Sequence, residues 1–205
     1  MILPIFSSFI IFVLILNFLS KRASKKDLDK DTAFWIRERQ ANSVRKKSID
    51  DLEYLSIPFD EFPMDAGKDD ETIAGYLNEL LELKEEKIVN FTGYTNTDLK
   101  LAYGVANLTA LSQYDQNYTL MVRLLQDLGD ALYKKGMIQD ALTVLEYSVK
   151  TRCDVSATYY LLAQIYIEQG QPEKIKKLIL RAETIQSLMQ PTIVRKLQEL
   201  YPCND

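Results

Sequence analysis

The hydrophobic and polar positions divide the chain into segments of different periodicity. Residues 2–19, ILPIFSSFIIFVLILNFL, are apolar on every helical face, which is the pattern of a segment surrounded by lipid rather than a surface helix. As a helix this run spans about 27 Å at about 1.5 Å per residue, close to a hydrocarbon core of roughly 30 Å. No basic residue precedes it, and Leu19-Ser20-Lys21-Arg22 is a poor cleavage site, so a secretory signal fits badly. A retained transmembrane anchor over residues 1–20 is predicted. Residues 24–47 lack Gly and Pro, and Ser24 with Asp27 has the form of a capping box, which predicts a helix carrying an apolar cluster of Phe34, Trp35 and Ile36. In residues 48–68, Ser48 can cap one short turn that ends before Ile57-Pro58, and Pro58 and Pro63 favour extended chain. Leu55, Ile57, Phe59 and Phe62 are too many apolar residues for a free linker. The strap is expected to lie along a helical body.

From residue 69 onward the period is helical. Asp69 or Asp70 can cap a helix through 83, and Thr95 or Thr97 a second through about 112; a third is expected over 117–135, stopped by Gly136. Further helices are expected over 138–151, 156–169, 172–187 and 191–200, with Pro172 and Pro191 in first turns, where a missing amide hydrogen is harmless.

Within this stretch Leu125, Leu128, Gly129, Leu132, Gly136, Leu145 and Ser148 recur 34 positions later as Tyr159, Leu162, Ala163, Tyr166, Gly170, Ile179 and Ala182. The segment LGDALYKKGMIQDALTVLEYSV, residues 128–149, resembles the tetratricopeptide repeat. The resemblance implies an all-α fold, an α-solenoid of stacked antiparallel helix pairs following the N-terminal transmembrane helix, with its clearest units at 122–155 and 156–189. Leu128, Gly129, Ala141, Leu162, Ala163, Tyr166 and Ala182 then hold the helices together, and Gly136 and Gly170 supply the turns. Two positions depart from the pattern: Ile175 stands where Ala141 supplies a small residue, and Cys153 stands where a proline usually closes the unit. Helices over 71–86 and 97–114 are expected to stack as a degenerate unit, and 191–200 to cap the other end, so that 69–205 forms one helical domain.

Such repeats hold partner segments on the face made by the first helix of each unit. The resemblance places Arg123, Gln126, Asp130, Tyr133 and Lys134 there from one unit, and Ala157, Tyr160, Gln164, Ile167 and Glu168 from the next. A groove that clamps an acidic tail needs several Lys, Arg and Asn residues, and only Arg123 and Lys134 qualify. Tyr133, Tyr160 and Ile167 suggest a mixed apolar and hydrogen-bonding surface. The competing reading is that these side chains pack on the strap or on a neighbouring helix. Separately, FWIRERQANSVRKKSIDDLEYLSIPFDEFP, residues 34–63, resembles a segment of membrane-anchored proteins of clostridial bacteria, which implies a bacterial source and no particular activity.

Charge sharpens the partition. The net charge of -4 conceals a residue 21–47 segment with ten basic and four acidic side chains, or +6, followed by fifteen basic and twenty-five acidic, or -10. Lys21, Arg22, Lys25 and Lys26 follow the apolar run, so the positive-inside rule places the body in the cytoplasm beneath a single-pass cell-membrane anchor. The basic helix either adheres to anionic lipid with Trp35 at the interface, or it docks Phe34, Trp35 and Ile36 on the acidic body while the four cations merely stop the span.

Three sequons begin at Asn90, Asn107 and Asn117 and are read as chance in a chain facing the cytoplasm. Cys153 and Cys203 show no metal or disulfide-framework spacing and are read as reduced thiols, the alternative being a bridge between them where the C-terminus folds back.

The chain has no histidine, which removes imidazole acid–base chemistry, histidine-ligated zinc and the usual nucleophile triads. No phosphate-binding glycine loop and no GxSxG motif occurs. The acidic clusters at 69–71 and 82–86 read as helix caps and solvated faces rather than paired acids or metal ligands. An acidic body also repels nucleic-acid phosphates. The resulting expectation is a non-enzymatic, membrane-anchored scaffold for an unknown protein or peptide, with no cofactor, metal, nucleic acid or small-molecule substrate. The alternatives are a structural subunit of a membrane complex and a lipid-surface module working through the basic helix.

Overall fold

The structure is a computed structural model describing residues 30–201. The expected anchor, the cations Lys21, Arg22, Lys25 and Lys26, the Ser24–Asp27 capping box and Cys203 lie outside the described residues. The described elements are helical: α1 (30–43), α2 (Glu71–Glu82), α3 (Asn96–Tyr103), α4 (Leu108–Lys134), α5 (Ile138–Lys150), α6 (Ser156–Glu168), α7 (Glu173–Ala182) and α8 (Gln190–Leu200). Two short 3-10 helices, Met64–Asp69 and Val105–Asn107, complete them. Among the described residues there is no strand, only an isolated antiparallel bridge between Leu55 and Ile88. No helix among them is long and apolar enough to cross a membrane.

These elements form two compact units. One joins the segment ending at Lys47 to Thr95–Leu108, and the other comprises Ser48–Tyr94 and the chain from Thr109 onward. Residues 95–108, read from sequence as part of the helical body, thus group with the basic segment.

In the first unit, polar chemistry fastens α1 to α3. Thr95 caps α3 in a capping box whose reciprocal member is Asp98, so two orphan amides of the first turn are satisfied. Asp98 also takes Arg37 of α1 at 2.5 Å. Glu38 accepts from Thr97 Oγ1 at 2.8 Å and pairs with Lys100. Beyond the helix end, the Lys47 amide donates to the Tyr103 carbonyl at 3.0 Å. Asn107 Nδ2 donates to the carbonyls of Lys47 and Tyr103, both at 2.8 Å. This seam depends on pH in a defined direction. The Thr95 hydroxyl, the Thr95 amide and Arg37 hold the Asp98 carboxyl down to about 2, below an ordinary aspartate near 3.9. Because the folded value is the lower one, the stability Asp98 contributes is complete above about pH 4 and is lost as pH falls towards 2. Protection of the Lys47 amide, relative to its intrinsic exchange, should therefore fall across that window, and Asp98→Asn should remove the Asp98 share, leaving that of Glu38, whose carboxyl Lys100 and Thr97 also hold low.

In the second unit, Asp70 caps α2 by accepting from the amides of Thr72 and Ile73. The strap does lie on helices, with Ile57 and Phe62 buried. Tyr147 of α5 donates to the Ser56 carbonyl at 2.9 Å and meets the Phe62 ring edge-on at 5.6 Å. The strap's last part is not extended as expected: Pro63 precedes the 3-10 helix at Met64–Asp69, since its fixed φ suits a helical start as well as extended chain.

The helix expected over 97–112 and its successor over 117–135 are replaced by the short α3 and the long α4. The polar run SQYDQN, residues 112–117, resembles a connection, yet it lies within α4. Asn117 is buried and donates to the Lys87 carbonyl at 3.0 Å, so its polarity serves a tertiary contact rather than a turn. The break falls instead at Gly104, whose φ of 88° is open chiefly to glycine. Likewise α7 ends at Ala182 rather than near 187. Ser187 there donates to Asp154 at 2.6 Å and accepts from the Met189 amide.

Candidate functional site

The self-matching segments occupy corresponding places. Lys134 ends α4 and Glu168 ends α6. Each is followed by a glycine at positive φ, Gly136 at 76° and Gly170 at 67°. Gly129 and Ala163 are fully packed, as are Leu128, Leu132, Ala141, Leu162 and Ala182, with Tyr166 nearly so. Ile175, which occupies the place of Ala141, is itself wholly buried.

Two sets of hydrogen bonds join α4 to α6. Thr158 Oγ1 donates to Gln126 Oε1 at 2.7 Å. A turn or two further along both helices, Tyr133 Oη donates to Glu168 at 2.8 Å, while Gln164 Nε2 bonds Tyr133 Oη and Glu168 Oε1, both at 2.9 Å. The partners advance together along both helices, so α4 and α6 run parallel where they meet. The Gln164 amide and the Tyr133 hydroxyl keep the Glu168 carboxyl below its ordinary range, and that carboxylate in turn raises the Tyr133 hydroxyl. Ile167 is 43% exposed beside this network. Tyr160 is partly buried against the core.

The candidate groove positions therefore divide. Gln126, Tyr133, Gln164 and Glu168 are tied across the two helices. Asp130 and Lys134 pair with each other at 2.5 Å one turn apart on α4. Arg123, Ala157 and Ile167 are exposed. The strap's aromatic anchor is on α5, at Tyr147. Trp35, Phe34 and Ile36 lie in the other unit, on α1, and are exposed.

The sequence reading missed the three asparagines that form structural nodes. Asn90 Nδ2 donates to Tyr118 Oη at 2.9 Å and to the Thr151 carbonyl at 3.0 Å, while its Oδ1 accepts from the Thr92 amide. Asn107 and Asn117 are buried and also donate through Nδ2. A glycan on any of the three would displace these bonds. No local signal marks them, because their partners lie far away in sequence.

Cys153 is buried, its Sγ accepts from Ser148 Oγ, and burial raises its thiol, so it behaves as a packed residue rather than a nucleophile. The nearby Tyr159 hydroxyl donates to the Cys153 carbonyl at 2.9 Å. A concavity of about 570 Å³ is lined by Asp65, Asp69, Asp70, Lys135, Met137 and Asp140. Asp70 is committed there to capping α2 and to Lys135 at 2.7 Å. Comparison of the chain with models of protein families, with curated proteins and with solved structures finds no match.

Proposed function

We propose that this chain is a non-enzymatic, membrane-anchored scaffold facing the cytoplasm, which holds a segment of a partner protein on tetratricopeptide-like helix pairs. The observation that carries this reading is the Tyr133–Gln164–Glu168 network beside exposed Ile167 on neighbouring parallel helices. It preorganises donors and a carboxylate without side-chain ordering at the moment of binding, which is where preorganisation gains affinity. The equivalent glycine turns after α4 and α6 and the close approach at Gly129 support the same reading.

The chemistry of the surface selects the partner. Glu168 supplies negative charge, Ile167 and Tyr160 supply apolar area, and Arg123 with Lys134 is too sparse to clamp an acidic terminus. The partner segment is an extended, non-acidic peptide with an apolar side chain and a basic or hydrogen-bond donor group. Screening the full-length protein against a displayed peptide library should enrich such sequences. Tyr133→Ala and Ile167→Asp should each weaken a selected peptide by about tenfold, the usual scale for an interface anchor. Enrichment of acidic C-terminal peptides, or affinities indifferent to both substitutions, would reject the groove.

A further inference from the structure

Helix α1 carries apolar side chains that the fold leaves uncovered. Phe34, Trp35 and Ile36 are 52, 64 and 54% exposed, and every residue over 30–37 is exposed. Successive side chains on a helix turn by about 100°. Arg37, Glu38 and Ala41 mark the side of α1 turned to α3, since Arg37 and Glu38 bond its residues and Ala41 is fully buried. Trp35, Ile36 and Arg39 consequently fall on the opposite side. Phe34 shares the docked side but lies two turns before Ala41. Its ring meets Trp35 edge-on at 5.3 Å, which joins the aromatic pair into one apolar surface.

Two observations indicate what covers it. The first is charge: the described residues of this unit hold seven cations and three anions. Lys21, Arg22, Lys25 and Lys26 stand just ahead of it. The same surface of a second copy would bring the same positive charge, whereas an anionic surface complements it. The second is the chain leading in. The apolar run ends at Leu19, and even fully extended the connection from there to Phe34 reaches at most about 50 Å. If that run is in a bilayer, α1 stays beside the same bilayer at high effective concentration. Tryptophan favours the headgroup level of a membrane, where its ring is buried and its N–H stays hydrated.

We propose that α1 rests the Phe34–Trp35–Ile36 surface in the interface of an anionic bilayer, with Arg39 and the neighbouring cations against lipid phosphates. The first unit is then held in a fixed orientation on the membrane instead of swinging from a tether. This inference concerns α1 alone and does not rest on the groove.

Trp35 is the chain's one tryptophan, so its fluorescence reports α1 without interference from the apolar run. The full-length protein is reconstituted into vesicles of phosphatidylcholine alone and of phosphatidylcholine with an equal part of phosphatidylglycerol. In the anionic vesicles Trp35 emission should shift to the blue, be quenched by lipids brominated near the headgroup, and resist aqueous acrylamide. Each cation removed should lower the interfacial population by about fivefold, so Arg39→Glu should return Trp35 to acrylamide, as should Ile36→Asp. Both positions are exposed, and unchanged amide protection at Lys47 verifies that α1 remains docked in the variants. The proposal is overturned if Trp35 stays open to acrylamide in anionic vesicles. It is equally overturned if Trp35 is shielded to the same degree in phosphatidylcholine alone, since anionic lipid would then not be what holds the surface.

Discussion

Gly104→Ala is expected to loosen α1 from α3 and to cost about 3 kcal/mol, the sum of backbone strain and steric overlap. Gly104 has φ 88° and ψ 147°, a region that is essentially restricted to glycine. A methyl group there would also overlap the Arg45 carbonyl and press on the Lys46 Cα. Both obstacles are backbone, so no rotamer change relieves them. The Gly104 amide meanwhile closes α3 by donating to the Lys100 carbonyl at 2.8 Å, and any shift that makes room disturbs this bond. The measurement is hydrogen exchange at the Lys47 amide, which bonds Tyr103 across the same seam, together with thermal melting. Native protection at Lys47 in the alanine variant would show that the segment before Lys47 yields without loss and would refute the tight approach.

Gly129→Leu should be comparably severe in the second unit, at about 1 to 3 kcal/mol for overpacking and towards the upper end here. The Cβ alone would lie 2.5 Å from Leu145 Cδ2 and 2.7 Å from its Cγ, and Leu145 is itself wholly buried. Unlike the obstacle at Gly104, this one is a side chain, and a second substitution can remove it. Leu145→Ala alone should cost about 2 to 5 kcal/mol as a cavity. In combination with Gly129→Leu it should cost much less than the sum, because the new side chain occupies the vacated space. Chemical denaturation of the two single variants and the double variant tests this directly. Additive losses would mean that α4 and α5 are not coupled at this point.

Elements whose signals are local were legible beforehand. The caps, read as Asp69 or Asp70 and as Thr95 or Thr97 and found at Asp70 and Thr95, the stops at Gly136 and Gly170 and the helices flanking them depend on residues a few positions apart. Residues 112–117 were misread because their polarity serves a distant partner: Asn117 reaches the Lys87 carbonyl, and Asp115 accepts from the Phe91 amide at 3.2 Å. Burial also raises the Asp115 carboxyl against the pull of that amide, an environment that no window of sequence reveals. At the candidate site, the resemblance assigned Tyr133, Gln164 and Glu168 to one face. Their closure into a single network required the parallel approach of α4 and α6.

By itself, the sequence determined the helical class, most helix ends and the separation of a basic segment from an acidic body. These follow from side-chain period, capping chemistry and charge along a short stretch of chain. Only the tertiary structure decided that residues 95–108 join the basic segment through Arg37, Glu38 and Gly104. It alone decided that three sequon asparagines are buried or bonded nodes, and that Trp35 stands exposed on α1. Each of these depends on contacts between residues far apart in the chain, whose geometry arises when entire helices pack and leaves no periodic trace in the sequence.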